Sequence, residues 1–244
     1  MDLGLQGKRI LITGSSDGFG KALAVKLAGE GAELILHDLE MNRQKLEALC
    51  KELGASCITA DLSKAEEAEE LYTKAGELDI LVNNAGIWPT AYVTEMTVEQ
   101  FKRTLDINLI APFILCREFV RSLISQKKKG KIVNMVSQAA FHGSTSGHAH
   151  YAASKAGLVG FTVSLAREAA PYGINVNAVA PGMMRTPMNQ KALSEREDEY
   201  LKRIPLGRVA DPEEVANIVA FLCSNKSDYM TGATLDATGG MLMR

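Results

Sequence analysis

No uninterrupted apolar run in this 244-residue chain approaches the roughly 20 residues that a membrane-spanning helix needs. Neither sign of charge dominates: Lys plus Arg is 27 and Asp plus Glu is 29, a formal charge of −2. That balance gives no long-range attraction for nucleic acid or an anionic membrane surface. Cysteine is sparse. Cys50, Cys57, Cys116 and Cys223 are scattered, with no CxxC pair, which speaks against a disulfide scaffold or a zinc ribbon. There is no HExxH either, so no metal site is expected. The start, Met1-Asp2-Leu3-Gly4-Leu5, lacks the basic region and apolar stretch of a signal peptide, and a cytoplasmic setting with reduced thiols is expected. Hydrophobic residues at 46% and charged residues at 23% leave ample material for a core, so disorder is not expected.

What is present is an alternation. Apolar runs at 8–13, 33–38, 56–61, 79–83, 131–137, 174–180 and 234–237 read as strands. They are continuously apolar, as strands buried on both faces of a parallel sheet are. Helical patterns cover about 19–30, 41–53, 64–76, 97–125, 149–170, 189–202 and 212–224. Asp211-Pro212-Glu213-Glu214 is a strong helix start. The expected fold is α/β: one Rossmann-like, doubly wound parallel sheet over residues 1–244, with helices on both faces. Only 182–210 breaks the alternation, and an insertion after a strand's carboxyl end suits a substrate lid.

Thr13-Gly14-Ser15-Ser16-Asp17-Gly18-Phe19-Gly20 follows the first strand and opens a helix. Glycines there let the backbone approach a ligand, and a helix N-terminus offers N–H groups to a pyrophosphate. The spacing is GxxxGxG rather than GxGxxG. Asp38 ends the second strand, where a carboxylate accepts hydrogen bonds from an adenosine ribose. A 2′-phosphate there would meet like charge, costing about 4 kcal/mol per unit charge at 4 Å and an effective dielectric near 20. Asp17 adds to the repulsion, whereas His37 or Arg43 would weaken it. The expected cofactor is NAD(H).

Ser137 ends a strand, and Tyr151 and Lys155, spaced i, i+4, share a helix face. A tyrosine titrating near 10 is a poor base at neutral pH. A nearby ammonium in a partly dry site would lower that value, provided that both side chains face a pocket.

These motifs, in this order, resemble the short-chain dehydrogenase/reductase family: TGSSDGFG (13–20), Asp61-Leu62, NNAG (83–86), Asn108, Ser137, YAASK (151–155) and PGMMRT (181–186), closing at Asp236-Ala237-Thr238-Gly239-Gly240. The resemblance implies a seven-stranded sheet and a homotetramer or homodimer. It implies Tyr151 as general acid/base and Lys155 as the group that lowers its pKa and holds the nicotinamide ribose. Ser137 would hydrogen-bond the substrate oxygen, and Asn108 would hold a relay water. Around the cofactor it implies Gly14, Ser16, Asp17, Gly18, Phe19, Gly20, Asp38, Asp61, Leu62, Asn83, Ala85, Gly86, Pro181, Gly182, Met184 and Thr186.

Ser137 and Tyr151 stand 14 apart, one more than in many members of the family, and the intervening loop holds Ser144 and Ser146. His148, His150, Trp88 and Phe141 are candidate substrate contacts, and Met183, Met184 and Met188 would suit an adaptable apolar wall. Lys127-Lys128-Lys129 with Lys131 is expected as a solvated turn at the amino edge of the sheet, away from ligands. The favoured activity is NAD-dependent hydride transfer involving a secondary alcohol of a polyol, sugar or sugar acid. The alternatives are a 3-oxoacyl thioester (acyl carrier protein) reductase and a non-catalytic NAD(H)-sensing regulator.

Overall fold

The computed structural model describes residues 2–144 and 147–244; Ser146 lies outside them. Seven parallel strands run β1 (Arg9–Thr13), β2 (Glu33–Asp38), β3 (Ser56–Thr59), β4 (Ile80–Asn83), β5 (Gly130–Met135), β6 (Ile174–Pro181) and β7 (Thr234–Ala237). They form one sheet in the order β3-β2-β1-β4-β5-β6-β7. Alternating side chains feed two faces. Ile10 and Ile12 enter one core with Leu23, Leu27 and Val219, while Leu11 enters another with Leu71, Leu115 and Phe119. Ile80 and Val82 divide from Leu81 in the same way. Burial on both sides is why these strands read as unbroken apolar runs.

The helices are α1 (Gly18–Gly29), α2 (Arg43–Leu53), α3 (Ala65–Ala75), α4 (Val98–Leu105), α5 (Ala111–Gln126), α6 (Ala139–His142), α7 (Ala149–Ala169), α8 (Gln190–Leu201) and α9 (Pro212–Cys223). Two differ from expectation. The single helix expected over 97–125 is divided by a π-helical turn at Asp106–Ile110, and α6 interrupts the loop after β5. No helix of the described residues is long and apolar enough to cross a membrane.

The order of strands reverses between β1 and β4, and their carboxyl ends open a crevice there. At the opposite edge, Lys127 closes α5 at φ 55°, Lys128 pairs with Glu77 at 2.6 Å, and Lys131 pairs with Asp228 at 2.7 Å. Residues 183–209 gather a small core of their own from Met183, Leu193, Ile204 and Val209. The four cysteines are free thiols, and burial pushes those of Cys116 and Cys223 up to about 12.

Candidate active site

The crevice holds a cavity of about 530 Å³ that runs from Asp38 and Asp61 past the glycine loop to Ser137, Tyr151 and Lys155. Among the expected residues, Gly14, Ser16, Asp17, Gly18, Phe19, Gly20, Leu62, Ala85, Gly86, Pro181, Gly182, Met184 and Thr186 line it too. Trp88, His148, Met183 and Met188 also face it.

Three expected contacts do not face it. Asn83 is 3% exposed, and its Nδ2 donates to Asn134 Oδ1 at 2.8 Å inside the sheet. Residues alternate along a strand, so the cavity side belongs to the loop after it, and Asn84 takes that place. Asn84 Nδ2 donates to the carbonyls of Thr13 and Gly14 at 2.9 and 2.8 Å, tying the two loops together. Phe141 packs with Val136 and Leu158 and carries the Arg244 guanidinium 3.7 Å from its ring centre. His150 is fully buried away from the cavity, and neither ring nitrogen has a hydrogen-bond partner among the described residues.

The glycine loop shows why its spacing is needed. Gly14 and Gly18 have φ of 65° and 53°, a region L side chains resist. A Cβ on Gly20 would overlap the Gly14 carbonyl. Asp17 caps α1 by accepting from Gly18 N at 2.7 Å. Asp38 anchors the loop from below, accepting from Ser16 N and Oγ at 3.0 and 2.7 Å. Beneath the loop His37 is 2% exposed, with Gly14 N donating to Nδ1 at 3.4 Å and Nε2 3.1 Å from the Ala60 carbonyl. Burial pushes His37 below its ordinary pKa, so a neutral ring sits there. This cradle fits a dinucleotide: a glycine surface and helix N-terminus for the pyrophosphate, and a carboxylate at the strand end for a ribose.

At the other end, Tyr151 and Ser137 share a hydrogen bond, and Ala139 N donates to Ser137 Oγ at 3.1 Å. Trp88 stacks on His148 with centroids 4.3 Å apart and meets the Tyr151 ring at 6.3 Å. Lys155 is 4% exposed; its Nζ donates to the Met135 carbonyl at 2.7 Å and lies 5.8 Å from the Tyr151 ring centre. Burial lowers Lys155 to about 8. The expected acidic phenol is not produced by these side chains alone. Burial raises the Tyr151 pKa, and the Ser137 hydrogen bond only opposes that rise. An amine itself pushed toward neutrality and set at ring distance does not offset the desolvation.

Asn108 is buried behind the lining, and its side chain is fully engaged. Oδ1 accepts from Ile87 N at 2.9 Å; Nδ2 donates to Ile87 O at 3.0 Å and Ser154 Oγ at 3.1 Å. A relay water therefore has only its main-chain carbonyl to bind. Residue 112 is Pro, which has no N–H to give to the carbonyl four residues back and whose ring crowds it. The helix answers with the π-helical turn, and Ala111 N reaches back to Asp106 O. Pro112 was the signal in the sequence for this break. Gly86 keeps the space open: a Cβ there would stand 3.2 Å from Asn108 Oδ1 and 3.5 Å from Lys155 Nζ.

The chain belongs to the short-chain dehydrogenase/reductase family, a class of nicotinamide-dependent oxidoreductases. The family model described as Enoyl-(Acyl carrier protein) reductase matches residues 14–242. The chain is 43% identical over 241 residues to the 3-oxoacyl-[acyl-carrier-protein] reductase FabG of Rickettsia prowazekii, covering 98% of both. It superposes with a TM-score of 0.92 on a short-chain dehydrogenase/reductase (glucose/ribitol dehydrogenase) structure from Brucella melitensis, 36% identical and covering 100% of each chain. A blue fluorescent protein from a metagenomic library, solved with NADPH, matches at a TM-score of 0.91 and 33% identity, covering 98% of this chain and 99% of that one.

The expectation of a polyol, sugar or sugar-acid dehydrogenase is corrected by the full-length match to a 3-oxoacyl-[acyl-carrier-protein] reductase. The physical reason for the miss is distance. Asp38 reads the adenosine ribose, and β2 stands three strands from β5, which leads into Ser137. That is about 14 Å at the usual strand spacing, so a carboxylate there says nothing about the substrate.

Proposed function

We propose that this protein reduces the 3-oxo group of a 3-oxoacyl thioester, delivered on an acyl carrier protein, to the 3-hydroxyacyl thioester, with NADH as the preferred donor. The observation that carries it is the 43% identity, over 98% of both chains, to a relative named for that reaction. When bound, the reduced nicotinamide supplies a hydride to the carbonyl carbon. The protein's own residues handle the oxygen. Ser137 and Tyr151 both reach one point in the cavity, where Ser137 orients the carbonyl and Tyr151 gives it a proton. A phenol kept protonated by burial suits the role of acid in this direction. Lys155 holds the nicotinamide ribose and, through a water on the Asn108 carbonyl, returns the proton.

NADH is favoured because Asp38 keeps its charge: hydrogen bonds from Asn42, Ser16 and Leu39 outweigh burial and lower its pKa. The two groups that would soften its repulsion of a 2′-phosphate are engaged elsewhere. Arg43 is held by Glu40 at 2.6 Å and Glu47 at 3.3 Å, and His37 is neutral. The segment 182–210 serves as a substrate lid in this reading, with the Met183, Met184 and Met188 side chains turned to the cavity. A homotetramer or homodimer in the cytoplasm completes it.

Nicotinamide oxidation with a 3-oxoacyl thioester, on CoA or on carrier protein, is the test. Turnover with NADH exceeding that with NADPH is expected. No thioester-dependent turnover with either would overturn the proposed reaction. Better turnover with NADPH would overturn the donor preference alone.

A further inference from the structure

Beside the ribose end of the cavity lies an ion pair that the proposed reaction does not use. Asp17 Oδ2 meets Lys45 Nζ at 2.9 Å, with side chains 48% and 63% exposed. Exposed pairs of this kind add little stability. Its position is what matters. Asp17 lines the cavity within the glycine loop. Lys45 follows Asn42 by three residues, on the same face at the start of α2, and Asn42 Nδ2 donates to Asp38 Oδ1 at 2.7 Å. Lys45 therefore stands next to the carboxylate that reads the ribose, with its charge turned to Asp17. The Lys45 hydrogen bond is the largest influence holding the Asp17 carboxyl below its usual range, so the pair is ionised at neutral pH.

We infer that Asp17 is a second determinant of donor choice, acting by holding Lys45 away from the place a 2′-phosphate would occupy. The inference rests on the proposed NADH preference and deepens it. Asp17, Asp38 and Lys45 together carry a charge of −1; with Asp17 neutral they carry zero, and the lysine is free to meet the phosphate. The site is thus an NADPH site masked by one carboxylate. Lys21, one turn along α1, also acts on Asp17 and is the competing cation.

The test is a double-mutant cycle read as the ratio of kcat/KM for NADPH to that for NADH. Asp17→Asn keeps a side-chain oxygen to cap α1 and removes the charge. It should raise the ratio by about tenfold or more. Lys45→Ala alone should leave the ratio nearly unchanged, and in the Asp17→Asn background it should remove most of the gain. A gain of equal size without Lys45 would overturn the inference, assigning the effect to lost repulsion or to Lys21. An unchanged ratio in Asp17→Asn would overturn it as well. Asp17→Ser, another capping residue, guards against a loop defect peculiar to one variant. The parent's own ratio tests the NADH preference separately, so the two ideas fail by different measurements.

Discussion

Tyr151 and Lys155 carry opposite burdens from the same burial. The phenol is driven to stay protonated, and the amine is brought down to about 8. Tyr151→Phe removes the proton donor and leaves the ribose contacts of Lys155 in place. A loss of about 10²–10⁴ in kcat is expected, with NADH affinity within a few-fold of the parent by fluorescence titration. Retained turnover would assign the proton to another group. For Lys155 the sign follows from linkage. The unfolded side chain binds its proton up to about 10.5, the folded one only to about 8. The charged amine therefore destabilises the fold below pH 8, by about 3 kcal/mol, and the cost fades as pH rises from 8 to 10.5. Lys155→Met should abolish turnover yet raise the denaturation midpoint at pH 7. A lower midpoint would show that the Met135 hydrogen bond outweighs desolvation. The Tyr151–Lys155 spacing made this pair legible as candidates, but the direction of the phenol's shift was not legible. Spacing along a helix gives adjacency and carries no information on how dry the pocket is.

At the scale of elements, the break between α4 and α5 is the feature with a chemical consequence. A periodic apolar pattern runs through 97–125, and it concealed a turn that a single proline enforces. Pro112→Ala restores an N–H that can take the Asn108 carbonyl into a regular helix. The fold should hold its stability or gain from it, since an interior proline is costly to a helix. Turnover should fall as the carbonyl is lost to the relay, with a pH profile displaced from that of the parent. Equal turnover and an equal profile would remove the Asn108 carbonyl from the mechanism. Asn108→Ala acts on the side chain instead. It strips the Ile87 N–H and C=O of their partner, and a loss of about 2–3 kcal/mol in unfolding free energy is expected from denaturant titration. Asn83 shows the finer limit of a motif. The NNAG run points to the right crevice, yet strand alternation decides which asparagine faces it, and β4 ends one residue earlier than the motif's first appearance suggests.

For the whole molecule, the alternation of apolar runs and helical periods was enough to give the sheet, because strands buried on both faces have few other sequences open to them. What it did not give was the depth of the polar groups. His37, His148 and His150 are 2%, 4% and 0% exposed, and burial lowers all three below the ordinary value of 6.5. Each therefore favours the fold while neutral, and that contribution is lost as pH falls below about 6.5, where the unfolded chain takes up protons that the folded one refuses. Carboxylates titrate lower, so the window between about 6.5 and 5 belongs to these rings. Two of them also bind structure that the cofactor needs. Protonating His37 at Nδ1 takes away the acceptor of Gly14 N, and His148 holds the Pro89 carbonyl at 2.8 Å beneath Trp88. The denaturation midpoint and NADH affinity should thus decline together on acidification from pH 7.5 to about 5.5. His37→Gln, with an acceptor and a donor but no charge, should flatten part of both slopes. If affinity keeps its full pH dependence in that variant, the ring under the glycine loop is not its source, and the loss must come from His148 and the Trp88 wall.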